Sequence, residues 1–359
     1  YADFNGSDAS IYALTGLMQG VGESQGPPII PTGYQTQIVG GLSAFNGAAG
    51  YLLGQYLKGD DKPTAFCLDA SIWEANMCLT DIGAAMSFNQ EPLPQRMGIN
   101  RFAPTYPLGI WPCKDGWLGV TVLNPAQWFA FCELLGLDDF AAAPKYQNSM
   151  ARLEDLELLE PRILEALSQQ SAEDLFYRGQ SMRIPLARVP TMEELLTVDQ
   201  YVQRQAFSEY SCEGETFQAP SCPFRLLETP PLYGGDTANL GADNQGWDTE
   251  SVSTKDSLDT SRSGSKEEED SSIPQGPLEG ITIVDLSMGW AGPLATRNLA
   301  DLGATIIKIE SCTRFDWFRS WEASQEWIDN NGAEKEVRFI NLNRNKLDVT
   351  LDFESKVGR

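Results

Sequence analysis

Six consecutive residues, Ser287-Met288-Gly289-Trp290-Ala291-Gly292, have the composition of a ligand-binding loop. They follow an apolar run, 281–286, that reads as a buried strand. Gly292 and Pro293 then open a helix through Leu302, and 304–309 reads as a second strand. Strand, loop, helix and strand within about 30 residues make a βαβ unit, which belongs to a parallel sheet. Ligands of such sheets bind beyond the carboxyl ends of the strands, where this loop lies. The loop carries neither GxGxxG nor GxxxxGK[ST], so it is neither a dinucleotide fingerprint nor a nucleoside triphosphate cradle. Asp285, at the end of the first strand, reads as a structural carboxylate rather than an acid or base. Asn343, Arg344 and Lys346 read as a solvated polar cluster.

Other catalytic chemistries are excluded by what the chain lacks. It contains 7 cysteines and 0 histidines. Without histidine there is no Ser-His or Cys-His pair within this chain, and scattered cysteines without CxxC spacing build no zinc site. The expectation for metals is none. Cys67, Cys78, Cys113 and Cys132 lie in apolar stretches and read as small buried hydrophobes with reduced thiols. The 50 acidic and 26 basic residues give a formal charge of -24, which repels nucleic acid and anionic membrane surfaces. With no run long enough to span a bilayer and no leader pattern before Tyr1, the chain reads as cytoplasmic.

The elements that must position such a loop come from a chain of 359 residues, 42% hydrophobic and 10% aromatic, enough for about two domains. Residues 1–227 are dense in apolar side chains. Residues 228–276 are not: Ser, Thr, Gly and Asp dominate, with an acidic run from Glu267 to Asp270, the composition of a flexible linker. Within the first part, 38–57 places Leu42, Phe45, Ala49, Leu52, Leu53 and Tyr56 at helical spacing. Its glycines, Gly40, Gly41, Gly47, Gly50 and Gly54, point to close backbone approach and a packed interior helix. A strand is expected over 64–68 and a helix over 71–88, then a strand over 116–123 after a Lys114–Gly116 turn. Helices follow over 125–135, 154–167, 171–179 and 192–196.

The segment GITIVDLSMGWAGPLATRNLADLGATIIKIE, 280–310, with FINLNRNKLDVTLDFESKVGR, 339–359, resembles the opening of class III CoA-transferases (the CaiB/BaiF, formyl-CoA transferase-like family). YADFNGSDASIYALTGLMQGVGESQGPP, 1–28, and GYQTQIVGGLSAFNGAAGYLLGQYLKG, 33–59, resemble the same family from its middle onward. So do RFAPTYPLGIWPCKDGWLGVTVLNPAQWFAFCELLG, 101–136, and RIPLARVPTMEELLTVDQYVQRQAFSEY, 183–210. The resemblance implies that 1–227 is the later part of one module, 228–276 a linker and 277–359 the start of a second module. A tandem protein of which this chain is an internal piece would have that order.

The implied fold is α/β, a parallel-sheet lobe plus a smaller lobe per module, with modules interlocked as a homodimer or an intramolecular pseudo-dimer. The implied partners are an acyl-CoA and a small carboxylic acid, with coenzyme A as substrate. In the family an aspartate just before the central helix attacks the thioester and passes on the CoA sulfur. Its place falls on Gln37, within one residue, and no acidic residue lies between Glu23 and Asp60. An amide cannot form the anhydride, so the first module is expected to be dead at this site, and the second module's aspartate would lie beyond Arg359. Gly289, Trp290 and Ala291 match the loop that lines the CoA adenine and ribose pocket, and Lys308 and Arg314 stand where a cation could meet a CoA phosphate. Ser311 and Cys312 replace the family's frequent basic residue after Glu310. Tandem members with one module lacking the aspartate resemble CoA-transferase/lyases that take dimethylsulfoniopropionate and release dimethyl sulfide. Carnitine-like acids, or a non-catalytic acyl-CoA-binding scaffold, are the alternatives.

Overall fold

The computed structural model describes residues 5–59, 65–79, 81–88, 95–103, 105–232, 234–236, 240–242, 276–311, 313–320, 324–356 and 358. They fall into two compact units, one formed by 1–103 with 270–359, the other by 104–269. Most of the expected linker, 243–275, lies outside the described residues.

The first unit begins with helices α1 (Asp8–Thr15), α2 (Gln35–Leu57), α3 (Ile72–Met77) and α4 (Asp81–Phe88). Ser7 caps α1 through a reciprocal bond with Ser10, and Gly16 ends it at φ 75°. The helix expected over 71–88 is thus divided in two. Residues 65–68 of the expected strand have no regular structure; Leu68 packs its side chain against Gly47 of α2 instead of pairing with a strand.

Helix α2 differs from the expected interior helix. Its glycine stripe is the packed one: a β-carbon at Gly40 would crowd Ile72, at Gly50 Leu302, and at Gly54 it would overlap the Pro277 carbonyl. The apolar stripe faces outward, with Phe45 62% and Tyr56 79% exposed. Close helix approach requires missing side chains, so the side bearing the glycines, not the one bearing large residues, meets the rest of the unit.

The second unit contains β1 (Leu108–Cys113), β2 (Gly116–Thr121), helices α5 (Pro125–Leu135), α6 (Asp138–Ala142), α7 (Ser149–Glu154), α8 (Leu156–Ser168) and α9 (Ala172–Ser181), β3 (Leu186–Arg188), α10 (Asp199–Gln203), and β4 (Phe207–Cys212), β5 (Glu215–Pro220) and β6 (Gly235–Asp236). β1, β2 and β3 form an antiparallel sheet in that order. Its inner side presents Trp111, Leu118, Val120 and Leu186, buried with Trp128, Phe131, Leu159, Ile163 and Leu175 from the helices. β1 escaped the sequence reading because it contains Gly109 and Pro112; Pro112 is tolerated since β1 is an edge strand. β4 and β5 form a hairpin around Glu213 and Gly214, whose positive φ values of 52° and 87° suit a tight two-residue turn. The expected helix over 192–196 is a single 3-10 turn, Glu194–Leu196.

The first unit is completed by β7 (Thr282–Asp285), α11 (Ala291–Asp301), β8 (Thr305–Glu310), α12 (Gln325–Asp329), α13 (Gly332–Lys335), α14 (Val337–Leu342) and β9 (Lys346–Thr350). β7, β8 and β9 are parallel in that order, with α11 crossing between the first two. The βαβ unit and the α/β class are as expected. Leu278, Ala300, Ala304 and Ile306 make one core under α11, and Phe318, Phe339 and Leu342 a second. Among the described residues of the unit only one side of the sheet is covered: Val284 is 57% and Leu347 60% exposed, against the fully buried strand the apolar run suggested.

Candidate functional site

The carboxyl ends of β7 and β8, with the segment after β9, enclose a cavity of about 240 Å³. Its wall includes Leu286, Ser287 and Met288 after β7, Glu310 at the end of β8, Ser311 and Arg314 after it, and Phe353 and Glu354 after β9.

Two buried carboxylates hold the loop after β7. Asp285 accepts the Ser287 N–H at 2.9 Å, the Ser287 hydroxyl, the Thr296 hydroxyl of α11 at 2.7 Å, and Lys346 Nζ at 3.0 Å. Burial works against its ionisation, but the hydroxyl donors, the Ser287 N–H and the ammonium outweigh this and hold it at about 2. Asp316 accepts the Gly289 N–H with one oxygen and the Phe318 N–H with the other, both at 3.1 Å. Lys308 donates to the Ser287 carbonyl and lies 3.5 Å from Asp316. A lysine within the otherwise apolar run 306–309 was a visible sign that a buried partner must exist. Asp316, outside any periodic segment, gave no such sign.

Gly289 adopts φ 78°, and a β-carbon there would strike the Trp317 ring. Trp290 packs edge-on against Phe318 at 5.8 Å and Ala291 starts α11. The cavity wall includes Lys308 and Arg314 but not Gly289, Trp290 or Ala291; Lys308 is engaged with Asp316, while Arg314 meets Glu354 at 3.4 Å as an exposed pair. Of the expected solvated cluster, Arg344 pairs at the surface with Asp301. Lys346 is buried on Asp285, because the lysine opens β9 beneath α11 and donates to the Pro293 carbonyl.

Beside the cavity, Arg319 contacts Glu310 at 2.7 Å, Glu334 at 3.1 Å and Asp348 at 3.4 Å, and its guanidinium lies 3.7 Å from the Phe339 ring centroid. Burial and then the neighbouring Asp348 push the Glu310 carboxyl up to about 7, against the pull of Arg319.

Gln37 is exposed in the first turn of α2. A carboxylate nevertheless stands at that helix start: Asp8 of α1 accepts the Thr36 N–H at 3.0 Å and its hydroxyl, while Asn76 of α3 donates to the Thr36 carbonyl at 2.9 Å. No pattern within 24–59 reveals it, since Asp8 is 28 residues from Thr36. Of the cysteines read as buried, Cys132 is buried and Cys113 partly so, with burial raising their thiols to about 12 and about 11; Cys67 and Cys78 are exposed. Among the described residues no group of three or more His, Cys, Asp or Glu could hold a metal ion. No described helix is long and apolar enough to cross a membrane.

The sequence model of CoA-transferase family III matches residues 1–244 and 278–359. The chain belongs to CoA-transferase family III. This family III chain is 23% identical over 363 residues to a probable CoA-transferase of Mycobacterium tuberculosis, covering 100% of the chain and 43% of that protein. It is also 23% identical over 249 residues to a succinate–glutarate CoA-transferase of Agrobacterium fabrum, covering 67% of the chain and 59% of that protein. The chain therefore spans about half the length of these relatives. A crystal structure of a CaiB/BaiF family protein from Brucella suis superposes with a TM-score of 0.58 at 18% identity, covering 70% of this chain and 64% of that one, which supports the shared fold.

Proposed function

We propose that this chain is part of a CoA-transferase and that its β7–β8–β9 end binds the nucleotide part of an acyl-CoA. The observation that carries the reading is the rigidly held Ser287–Gly289 loop beside a cavity at the carboxyl ends of parallel strands. Gly289, Trp290 and Ala291 are the residues proposed to line the adenine and ribose portion. In the proposed reaction an aspartate attacks the thioester carbonyl, giving a mixed anhydride and CoA thiolate. The thiolate then takes the aspartyl group, releasing the donor acid, and the acceptor acid reverses the two steps. Gln37 cannot serve, so the reacting carboxylate is proposed to lie outside residues 1–359, in a tandem protein arranged as 1–227, 228–276 and 277–359.

The acceptor is proposed to be dimethylsulfoniopropionate, with acetyl-CoA as donor; water then replaces the sulfonium group of the acyl-CoA formed, releasing dimethyl sulfide and a proton and leaving 3-hydroxypropionyl-CoA, and the resemblance of the tandem order supports this. Gln37 at the nucleophile's place favours a second reading, an acyl-CoA-binding scaffold. Incubating the full-length protein with acetyl-CoA and dimethylsulfoniopropionate, glutarate or carnitine, and weighing the acyl-CoA products, separates these. Dimethyl sulfide with a new acyl-CoA supports the first reading, another acyl-CoA alone changes the acceptor, and CoA binding without exchange leaves the scaffold.

A further inference from the structure

We infer that Asp316, anchored by Lys308, is a positioning residue for the acyl-CoA nucleotide; this rests on the proposed function. The loop after β7 is joined to β8 and to the segment after it by two adjoining links. Asp316 takes the Gly289 N–H at 3.1 Å and, through its other oxygen, the Phe318 N–H of its own segment. Lys308 donates to the Ser287 carbonyl and faces the Asp316 carboxylate. Both side chains are 2% exposed, so neither bond competes with bulk water, and a carboxylate accepting from backbone N–H groups is among the stronger hydrogen-bond arrangements.

The consequence is specific. Asp285, Lys308 and Asp316 engage the Ser287 N–H, the Ser287 carbonyl and the Gly289 N–H. They do not take the N–H and carbonyl of Met288, which stands between the clamped residues and lines the cavity. Holding the Ser287 carbonyl and the Gly289 N–H fixes the two peptide units that carry the Met288 N–H and carbonyl, a donor and an acceptor of the kind that the edge of a purine base pairs with. Gly289, held at φ 78° under the Trp317 ring, is the hinge that lets the loop reach Asp316. Preorganised polar groups bind a ligand without the loss of ordering the loop at each encounter.

The test uses the full chain and two readouts, hydrogen exchange of 287–290 without ligand and calorimetric titration with coenzyme A below the melting temperature. Asp316→Asn cannot accept both N–H groups and face Lys308, so exchange at Met288 and Gly289 should quicken and the CoA dissociation constant should rise at least tenfold. Asp301→Asn, which loosens the Arg344 and Asn345 contacts elsewhere, should change neither. Gly289→Ala disturbs the same loop without altering a buried charge and serves if Asp316→Asn does not fold. Combined, the two substitutions should weaken binding no more than the worse single one. Unchanged exchange, CoA affinity within twofold of wild type, or fully multiplicative effects would each overturn the inference. Quickened exchange in a protein whose wild type does not bind CoA would overturn the proposed function and, with it, the positioning role, while leaving the clamp as structure.

Discussion

Lys346 Nζ lies 3.0 Å from Asp285 Oδ2, with both side chains 1% exposed, and joins the start of β9 to the end of β7 across β8. The pair also engages α11 through Thr296 and the Pro293 carbonyl. Removing one member leaves the other charge buried and unpaired, which costs about 3–5 kcal/mol. Lys346→Met should therefore lower the unfolding free energy by about that amount in urea titrations. Adding Asp285→Asn to it should recover part of the loss, since the orphaned carboxylate is then gone; a double variant no more stable than Lys346→Met alone would contradict this coupling.

Acid should remove the contribution of Asp285. Its carboxyl is held at about 2 against 3.8 for the free group, so the unfolded chain takes up the proton first as pH falls. The stabilisation is fully present above about pH 4 and disappears as pH drops toward 2. Near pH 2 the protonated carboxyl resembles an amide. The stability gap between wild type and Asp285→Asn, measured by urea unfolding at pH 5, 4, 3 and 2.5, should shrink steadily. A constant gap would mean that the carboxylate is not the group responsible.

The βαβ unit was legible because both strand runs and the helix between them are local patterns, each readable within a dozen residues. The loop at its strand end followed from the same reading. What escaped was long-range or directional. Lys346 reads as solvated from its neighbours Asn343 and Arg344, yet its partner lies 61 residues away. Asp8 reaches the start of α2 from another helix. Helical spacing in 38–57 identified the helix but not which stripe faces inward, because an apolar stripe and a glycine stripe are both ways to pack. β9, with Lys346 and Asp348 alternating with aliphatics that stay exposed, lacks the buried pattern that marked β7 and β8.

Arg152 in the second unit is fully enclosed, and its guanidinium donates to the carbonyls of Tyr106 at 2.7 Å and Tyr146 at 2.6 Å while lying 4.7 Å from the Trp128 ring centroid. Burial pulls its ionisation down to about 10, still charged at neutral pH. The residue ties the approach to β1 to the turn before α7. Arg152→Met matches much of the apolar stem but leaves both carbonyls without this donor, a loss of about 2–3 kcal/mol. Thermal unfolding should show a lower midpoint for Arg152→Met than for Arg162→Met, whose Asp139 pair is exposed and screened by solvent.

Glu310 should make the first unit less stable as the solution becomes neutral. Its carboxyl is buried, and Asp348 lies close enough to share a hydrogen bond with the protonated form and to disfavour a second negative charge. The folded carboxyl therefore keeps a proton up to about pH 7 that the unfolded chain releases near 4.5. Below 4.5 both states are protonated and there is no penalty; between 4.5 and 7 the folded state binds more protons, so stability falls as pH rises, and above 7 the difference is constant. Glu310→Gln has no proton to lose at that position. Unfolding free energies measured at pH 5 and pH 8 should differ less in Glu310→Gln than in wild type, with the variant gaining relative to wild type at pH 8. An equal difference in both proteins would place the titration on another group.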